Sequence, residues 1–143
     1  MVSRVIPVQA FDLVIFGGTG DLARRKILPS LFRRFVAGQM PNNAFIIGVA
    51  RSGLDTESYQ DLVLSALKEF EPEMVASAEL EVFIKQIMYV QIDAKGDFGW
   101  SDLADKVRKD AIQAFYFSVS PSLFGQLAEK LHQYSIASQS SRI

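Results

Sequence analysis

A glycine-rich turn between an apolar run and a helix-forming run constrains this chain more than any other feature. Residues 13–16 are continuously apolar, which is typical of a strand covered on both faces. Residues 17–20 read Gly-Gly-Thr-Gly, so the backbone can bend sharply and leave room for another group beside it. Good helix formers begin at Asp21. The unpaired N–H groups of such a helix start favour an anion, and a pyrophosphate fits there.

Apolar runs typical of strands alternate with helical patterns along the chain. After a leader at residues 1–10, we predict strands at 12–16, 44–50, 88–92 and 114–119. Helices are predicted at 21–37 with Gly38 as C-cap, from Asp55 or Thr56 to Phe70, at 80–87, at 101–109 with Ser101 as cap, and at 122–134. Pro29 should kink the first helix, or end it so that a second follows. This alternation predicts the α/β class, as a Rossmann-like, doubly wound parallel sheet with helices on both faces.

Composition argues against several kinds of function. The length of 143 residues suggests one domain, and a net charge of −1 without blocks of like charge gives no support to a nucleic-acid partner. The chain has no cysteine and one histidine, His132, so we predict no disulfide and no metal site. We also predict no membrane partner, because no apolar run approaches the roughly 18 residues of a membrane span, and no signal-peptide pattern is visible. The absence of cysteine is compatible with a cytoplasmic location, which we predict.

The turn matches a dinucleotide-binding fingerprint. Gly18, Gly20 and Ala23 fit G-x-G-x-x-A, and the match follows an apolar strand and opens a helix, which is the required context. The P-loop pattern fails, because Gly20 is not followed by Lys and Ser or Thr. The alternative is a turn that only packs a helix on a sheet.

The end of the second predicted strand favours NADP over NAD. NAD-binding chains usually place an acid there for the ribose 2′-hydroxyl, but this strand ends in Ala50-Arg51-Ser52. Asp55, the nearest acid, is better interpreted as a helix cap. A charge-assisted hydrogen bond from Arg51 to a 2′-phosphate would contribute about 1.5–3 kcal/mol, roughly a 10- to 150-fold preference. The alternative is a solvated surface arginine.

The sequence offers no catalytic residue. His132 is interpreted as a surface histidine on an amphipathic helix, and Ser118 and Ser120 lack a base that would make them nucleophiles. Tyr116 lies within a predicted strand, so core packing is its default interpretation. None of the tyrosines is followed four residues later by lysine, which argues against a short-chain reductase.

Residues 16–32, FGGTGDLARRKILPSLF, closely resemble the start of the glucose-6-phosphate dehydrogenase family. The string G-D-L-A-x-x-K-x-x-P is far more specific than a glycine fingerprint alone. Further matches are Ala50-Arg51 after the second strand, the Y-x-x-x-D element at residues 89–93, and F-Y-x-x-x-x-P at residues 115–121. Ser120-Pro121 replaces the family's more usual leucine-proline or alanine-proline.

The resemblance implies NADP as coenzyme and a set of binding residues. The pyrophosphate turn would be lined by Gly17, Gly18, Thr19, Gly20, Asp21 and Leu22. Arg51 would meet the 2′-phosphate, and the adenine and nicotinamide side would be bordered by Asp93, Ala94 and Tyr116. Lys26 would orient either the phosphates or the substrate.

The resemblance also implies an enzyme that moves hydride from C1 of glucose 6-phosphate to NADP, giving 6-phosphogluconolactone at the entry to the pentose phosphate pathway. The family's E-K-P-F-G strand, its substrate segment R-x-D-H-Y-L-G-K and its catalytic histidine do not occur in residues 1–143. We therefore expect an N-terminal fragment with an incomplete sheet and no α+β domain. It would be inactive and monomeric alone, whereas the full-length enzyme would be a homo-oligomer. The alternatives are a stand-alone NADP-sensing module of atypical reductase type and a protein-interaction domain with a vestigial turn.

Overall fold

The computed structural model describes residues 11–40 and 44–136, and these form one parallel sheet with helices. The leader predicted for residues 1–10 lies outside the described residues. The strands of the described part are β1 (Phe11–Phe16), β2 (Ala44–Ala50), β3 (Ile87–Gln91) and β4 (Ile112–Phe117), in the order β3-β2-β1-β4. The helices are α1 (Leu28–Val36), α2 (Thr56–Phe70), α3 (Glu79–Lys85), α4 (Trp100–Lys106) and α5 (Phe124–Gln133). The predicted doubly wound α/β class is confirmed.

Helices cover both faces of the sheet, each over its own apolar core. The alternation of side chains along β1 divides the cores: Ile15 points to one face, and Val14 and Phe16 point to the other. On the Ile15 face lie α1, α2 and α3, with Phe32, Tyr59, Leu67 and Phe83 fully buried. On the Phe16 face lie α4 and α5, with Trp100, Leu103 and Leu127 buried. The strand order reverses between β1 and β4, and ligands of open α/β sheets bind at the carboxyl edge beside that point.

Pro29 is accommodated by a π-helical turn rather than by a break. This turn spans Ala23–Ile27 and leads directly into α1, where Pro29 occupies the first turn. The Leu28 N–H bonds back to the Ala23 carbonyl, five residues earlier, so the helical path absorbs the proline, which has no N–H of its own. The predicted distortion is therefore correct, and a separate second helix does not form. The predicted C-cap is also confirmed, since Gly38 has a φ of +73°.

The outer edge of β3 is covered by side chains of α2. The Tyr89 N–H donates to Thr56 Oγ1 at 3.1 Å, and Gln60 Nε2 donates to the Ile87 carbonyl at 2.9 Å. Asp55, not Thr56, caps α2, because its Oδ1 accepts the Ser58 N–H at 2.7 Å. The two predicted cap candidates thus have separate roles, one at the helix end and one at the sheet edge.

A buried ion pair lies at the amino end of the sheet. Asp12, fully buried in β1, accepts hydrogen bonds from Arg108 Nη2 at 2.7 Å, Nε at 3.0 Å and the Arg108 backbone N–H at 2.7 Å. The guanidinium also stacks over the Phe45 ring, 4.0 Å from its centroid. This contact joins the loop before β4 to β1, across 96 residues of sequence.

Three details of the second half were predicted wrongly. Ser101 is not a cap: α4 begins at buried Trp100, and its N-cap is Gly99 at φ +86°, where an added Cβ would lie 1.9 Å from the Gln91 carbonyl oxygen. The helix ends at Lys106 rather than 109, because Val107 is already extended. The fourth strand also begins two residues earlier than predicted, at Ile112.

Candidate functional site

The glycine turn is fixed by contacts on both of its sides. Gly17 has a φ of +82°, and a Cβ there would lie 2.1 Å from the Ser118 carbonyl oxygen at the end of β4. The N–H groups of Gly17 and Gly18 both donate to the Val49 carbonyl, at 2.8 and 3.1 Å. The turn is therefore held against the ends of β2 and β4, and only glycine meets the steric demand at position 17.

The first helical hydrogen bond runs from the Arg24 N–H to the Gly20 carbonyl at 3.1 Å. The Gly20 N–H is already used, since it donates to the Gly17 carbonyl at 3.0 Å. The N–H groups of residues 21–23 belong to the first helical turn, where N–H groups have no acceptor within the helix. Together with the positive end of the helix dipole, such groups favour an anion.

A cleft of about 340 Å³ opens beside this turn at the carboxyl edge of the sheet, within the size range of small-molecule sites. Its rim carries Gly17, Thr19, Arg51, Ser52 and Ala94. Its apolar wall includes Phe16, Val49, Ile92, Val119, Leu123 and Leu127. The ends of all four strands or the segments that follow them thus contribute to one concave surface.

Arg51 lies exposed on the turn that follows β2, at the mouth of the cleft. Its backbone carbonyl accepts a hydrogen bond from Gln91 Nε2 at 3.0 Å, and the Ser52 carbonyl accepts one from Tyr89 Oη at 2.6 Å. Asp55 is engaged as the cap of α2, as the sequence predicted. In the described part of the chain no carboxylate lines this cleft.

The loop that carries Ala94 is anchored at both ends. The Asp93 carboxylate accepts the Lys95 N–H at 3.0 Å, and the Asp93 carbonyl accepts the indole N–H of Trp100 at 3.1 Å. Farther along the loop, Asp97 pairs with Lys130 of α5, and this contact lowers the pKa of the Asp97 carboxyl. The Asp93 side chain is thus used within the loop, and Ala94 rather than Asp93 lines the cleft.

The predicted residues of the glycine turn have different surroundings, and Gly20, whose N–H bonds to the Gly17 carbonyl, does not line the cleft. Gly17 and Thr19 line the cleft with Arg51 and Ala94. Gly18 is buried beneath the turn, where its carbonyl accepts a hydrogen bond from Tyr59 Oη at 2.9 Å. Asp21 is exposed, and its carboxylate pairs with Arg25 at 2.8 Å.

The remaining three predicted residues, Leu22, Lys26 and Tyr116, lie in a second cleft of about 650 Å³. Tyr116 is paired with Ile15 across β4 and β1, so its side chain lies on the α1 face, opposite to the Phe16 face. Its default interpretation as a core residue is wrong, because it is 45% exposed. Four cationic side chains, Arg25, Lys26, Arg33 and Arg34, lie along the second cleft. Arg25 pairs with Asp21 and Arg33 pairs with Glu71, whereas Lys26 and Arg34 form no ion pair with the described residues.

Sequence reasoning missed Tyr59 and Tyr89 as parts of this site. Tyr89 was noted only as the first residue of the Y-x-x-x-D element and Tyr59 only as part of a helix, yet their hydroxyls bind the backbone of the glycine turn and of the Arg51 turn. The sequence did not indicate these hydrogen bonds, because the paired groups are 41 and 37 residues apart. His132 is exposed on α5, as predicted, and the described residues hold no cluster of three or more metal-ligating side chains. None of the described helices has the length and apolarity needed to cross a bilayer.

The chain matches the family described as glucose-6-phosphate dehydrogenase, NAD binding domain, over residues 14–143. A similar curated protein is the glucose-6-phosphate 1-dehydrogenase of Rhizobium meliloti (strain 1021), which is 40% identical over 146 residues, covering 100% of this chain and 30% of that protein. The chain therefore spans about a third of the length of the relatives it matches.

Solved structures give the same result. A glucose-6-phosphate dehydrogenase in complex with its substrate glucose 6-phosphate aligns with a TM-score of 0.78 and 25% identity, over 99% of this chain and 30% of that one. The glucose-6-phosphate 1-dehydrogenase of Mycobacterium avium aligns with a TM-score of 0.79 and 28% identity, over 94% and 29%. With the family match over residues 14–143, these similarities confirm the expected family: the chain belongs to the glucose-6-phosphate dehydrogenase family and carries its coenzyme-binding domain.

Proposed function

We propose that the 340 Å³ cleft binds NADP, and that this domain serves an enzyme that oxidises glucose 6-phosphate. The observation that carries the proposal is the position of Arg51 at the mouth of the cleft that the glycine turn also lines. A pyrophosphate over the helix start and a 2′-phosphate beside Arg51 would occupy the two anion-binding positions of one concave surface.

The surroundings of Arg51 support NADP rather than NAD. In the described residues the cleft has a guanidinium and the Ser52 hydroxyl at its mouth and no carboxylate to repel a 2′-phosphate. The nearest acid along the chain, Asp55, already accepts the Ser58 N–H at 2.7 Å. An NAD site would need an acceptor for the ribose 2′-hydroxyl, and this cleft offers none from a carboxylate.

The second cleft suits the substrate side of the reaction. Tyr116 and four cationic side chains line it. Arg25 and Arg33 are already paired with Asp21 and Glu71, so Lys26 and Arg34 would supply the charge that attracts a phosphorylated sugar. Lys26 lies in this cleft and not in the one that contains Arg51, so the geometry favours a role toward the substrate over a role on the coenzyme phosphates.

For the whole protein we propose the reaction of its relatives: hydride transfer from C1 of glucose 6-phosphate to NADP, giving 6-phosphogluconolactone and NADPH. The chain covers about 30% of a relative's length, so further residues would be needed for substrate binding and base catalysis. Residues 1–143 alone are expected to bind coenzyme without turning over substrate.

The proposal is tested by titrating NADP and NAD separately into the protein and into Arg51→Ala. Loss of one charge-assisted hydrogen bond should weaken NADP binding about 10- to 150-fold and leave NAD affinity nearly unchanged. Lys109→Ala is the matched control, because Lys109 is an exposed cation in the loop that precedes β4, at the opposite end of the sheet. This control should bind both coenzymes as the unmodified protein does.

Two results would overturn the proposal. Equal affinity of the unmodified protein for NADP and NAD would remove the preference itself. A preference that persists in Arg51→Ala would remove Arg51 as its source. Adding glucose 6-phosphate and NADP to residues 1–143 should give no NADPH absorbance, and Lys26→Ala should leave the dissociation constant for NADP unchanged.

A further inference from the structure

Side chains of the neighbouring strand, β3, form hydrogen bonds to the turn that carries Arg51. Tyr89 of β3 is 4% exposed, and its Oη lies 2.6 Å from the Ser52 carbonyl oxygen. Gln91, two residues later on the same strand, donates to the Arg51 carbonyl at 3.0 Å. Two successive carbonyls of the turn thus accept hydrogen bonds from β3 side chains, and these bonds fix the backbone from which the Arg51 side chain projects.

The same tyrosine contacts a second one that holds the glycine turn. The rings of Tyr59 and Tyr89 have centroids 5.0 Å apart and planes inclined by 31°. Tyr59 is fully buried, and its hydroxyl donates to the Gly18 carbonyl at 2.9 Å. The ring fits because Gly48 of β2 has no side chain: a Cβ there would lie 2.3 Å from Tyr59 Cζ. The two rings therefore connect the two turns through one continuous contact.

Neither tyrosine lines the cleft, so neither can act by touching the coenzyme. Burial raises the pKa of both phenols, and both hydroxyls remain protonated donors at neutral pH. A buried donor that loses its acceptor is costly, and this cost keeps the glycine turn in place against Tyr59. Tyr89 Oη has two acceptors within reach, the Ser52 carbonyl at 2.6 Å and the Ala50 carbonyl at 3.1 Å, and these two carbonyls flank Arg51 in the chain.

We propose that Tyr59 and Tyr89 are positioning residues that set the distance between the pyrophosphate turn and Arg51, and that Tyr89 thereby sustains the preference for NADP over NAD. This inference rests on the proposed function. Tyr89 acts on the turn of Arg51, so its effect should fall on the 2′-phosphate. Tyr59 acts on the turn that faces the pyrophosphate, which NADP and NAD share, so its effect should fall on both coenzymes.

The test measures dissociation constants for NADP and NAD in Tyr89→Phe, which deletes only the hydroxyl. The ratio of the NAD constant to the NADP constant should fall about two- to tenfold, the effect of one neutral hydrogen bond, while NAD affinity changes little. Tyr59→Phe should weaken both coenzymes by a similar factor and leave the ratio unchanged. Tyr134→Phe is the matched control, since the Tyr134 hydroxyl donates to the Asp97 carboxylate, in the loop that pairs with α5. It should change neither constant.

A double-mutant cycle distinguishes an effect of Tyr89 through the position of Arg51 from a general loss of order in the binding site. In an Arg51→Ala background, Tyr89→Phe should have no further effect on the ratio, because the residue through which it acts is gone. If Tyr89→Phe does not fold, Gln91→Leu replaces it: this variant removes the donor to the Arg51 carbonyl and should lower the ratio in the same way.

The failures of the two proposals are distinguishable. If the unmodified protein prefers NADP and Arg51→Ala loses that preference, an unchanged ratio in both Tyr89→Phe and Gln91→Leu overturns the positioning role alone. An effect of Tyr89→Phe that persists undiminished in the Arg51→Ala background also overturns it. If the unmodified protein shows no preference for NADP, the proposed function fails, and this inference fails with it.

Discussion

Gly48 in β2 leaves the space that the Tyr59 ring occupies. Replacing Gly48 by alanine would place a Cβ within 2.3–2.5 Å of three atoms of the Tyr59 side chain, which is fully buried. We expect Gly48→Ala to lower the free energy of unfolding by about 1–3 kcal/mol, the usual cost of overpacking. Urea denaturation followed by circular dichroism measures the change.

Gly125→Ala is the matched control for this prediction. Gly125 lies in α5, and a Cβ there would meet nothing within 4 Å. Alanine should therefore stabilise the helix by roughly 0.5–1 kcal/mol. A Gly48→Ala variant as stable as the unmodified protein would show that Tyr59 can shift without cost.

Arg108 is the partner of a carboxylate that has no exposure to water. Arg108→Met removes the guanidinium that donates to Asp12, and of the hydrogen bonds described above only that from the residue 108 backbone N–H would remain. Breaking one side of a buried ion pair costs about 3–5 kcal/mol, and we expect a loss near the lower end because the Arg108 side chain is 23% exposed. Unfolding in urea, with Lys109→Met as the exposed neighbouring control, gives the difference. Equal losses in the two variants would contradict this expectation.

The sequence predicted the positions of single residues only where those positions depend on neighbouring residues. The place of Arg51 at the end of β2 could be predicted because the strand pattern before it is visible in the sequence. The contacts of the Tyr59 and Tyr89 hydroxyls could not, because they depend on the parallel register that sets Gly48 beside Tyr89. Tyr116 was misjudged for a related reason: whether a strand residue is covered depends on the neighbouring elements, and its own sequence does not report them.

At the scale of helices and strands, the sequence predicted those helix ends that are fixed by the backbone or side chain of a single residue. Gly38 and Asp55 end and begin helices through their own backbone and side chain, and both were predicted. Gly99 was missed as the start of α4, because its left-handed conformation is imposed by the Gln91 carbonyl, which belongs to β3. The π-helical turn before Pro29 was foreseen only as a distortion, since the sequence does not say how the backbone absorbs it.

The cap of α2 makes a prediction that depends on pH. Hydrogen bonds from the Ser58 N–H and side chain lower the pKa of Asp55 below its ordinary 3.8. A lowered folded pKa means that the carboxylate stabilises the folded state above pH 3.8, and that this contribution is lost as pH falls through the folded pKa. Asp55→Ala should therefore be less stable than the unmodified protein at neutral pH, and the two should converge in strong acid.

Thermal unfolding of both proteins between pH 7 and pH 2 measures this convergence. Asp61→Ala is the control, because Asp61 is an exposed carboxylate in the interior of the same helix. It should cause no loss of stability at any pH. A difference between Asp55→Ala and the unmodified protein that stays constant down to pH 2 would show that the cap does not act through its charge.

At the scale of the whole molecule, the two edges of the described sheet differ. Beside β4 lies an open apolar groove of about 620 Å³, and its lining includes Tyr116 and Phe124, which are 45% and 39% exposed. An uncovered strand edge next to apolar side chains is a site of self-association. We therefore expect residues 1–143 to be monomeric when dilute and to associate as the concentration rises.

Sedimentation velocity over a range of concentrations measures this association. Phe124→Glu should shift it to higher concentration, because the variant places a charge in the groove. Phe98→Glu is the matched control, since Phe98 is 63% exposed on the loop after β3 and does not line the groove. Equal effects of the two substitutions would argue for association through general hydrophobicity rather than through the β4 edge.

The capped edge of β3 has a consequence for how this sheet can be extended. Thr56 and Gln60 occupy the Tyr89 N–H and the Ile87 carbonyl, two of the backbone groups that an incoming strand would use. Among the described residues, α2 thus obstructs the addition of a strand beside β3, and β4 is the other edge of the sheet. We therefore expect a strand that completes the sheet, and any intruding strand that competes with it, to pair with β4.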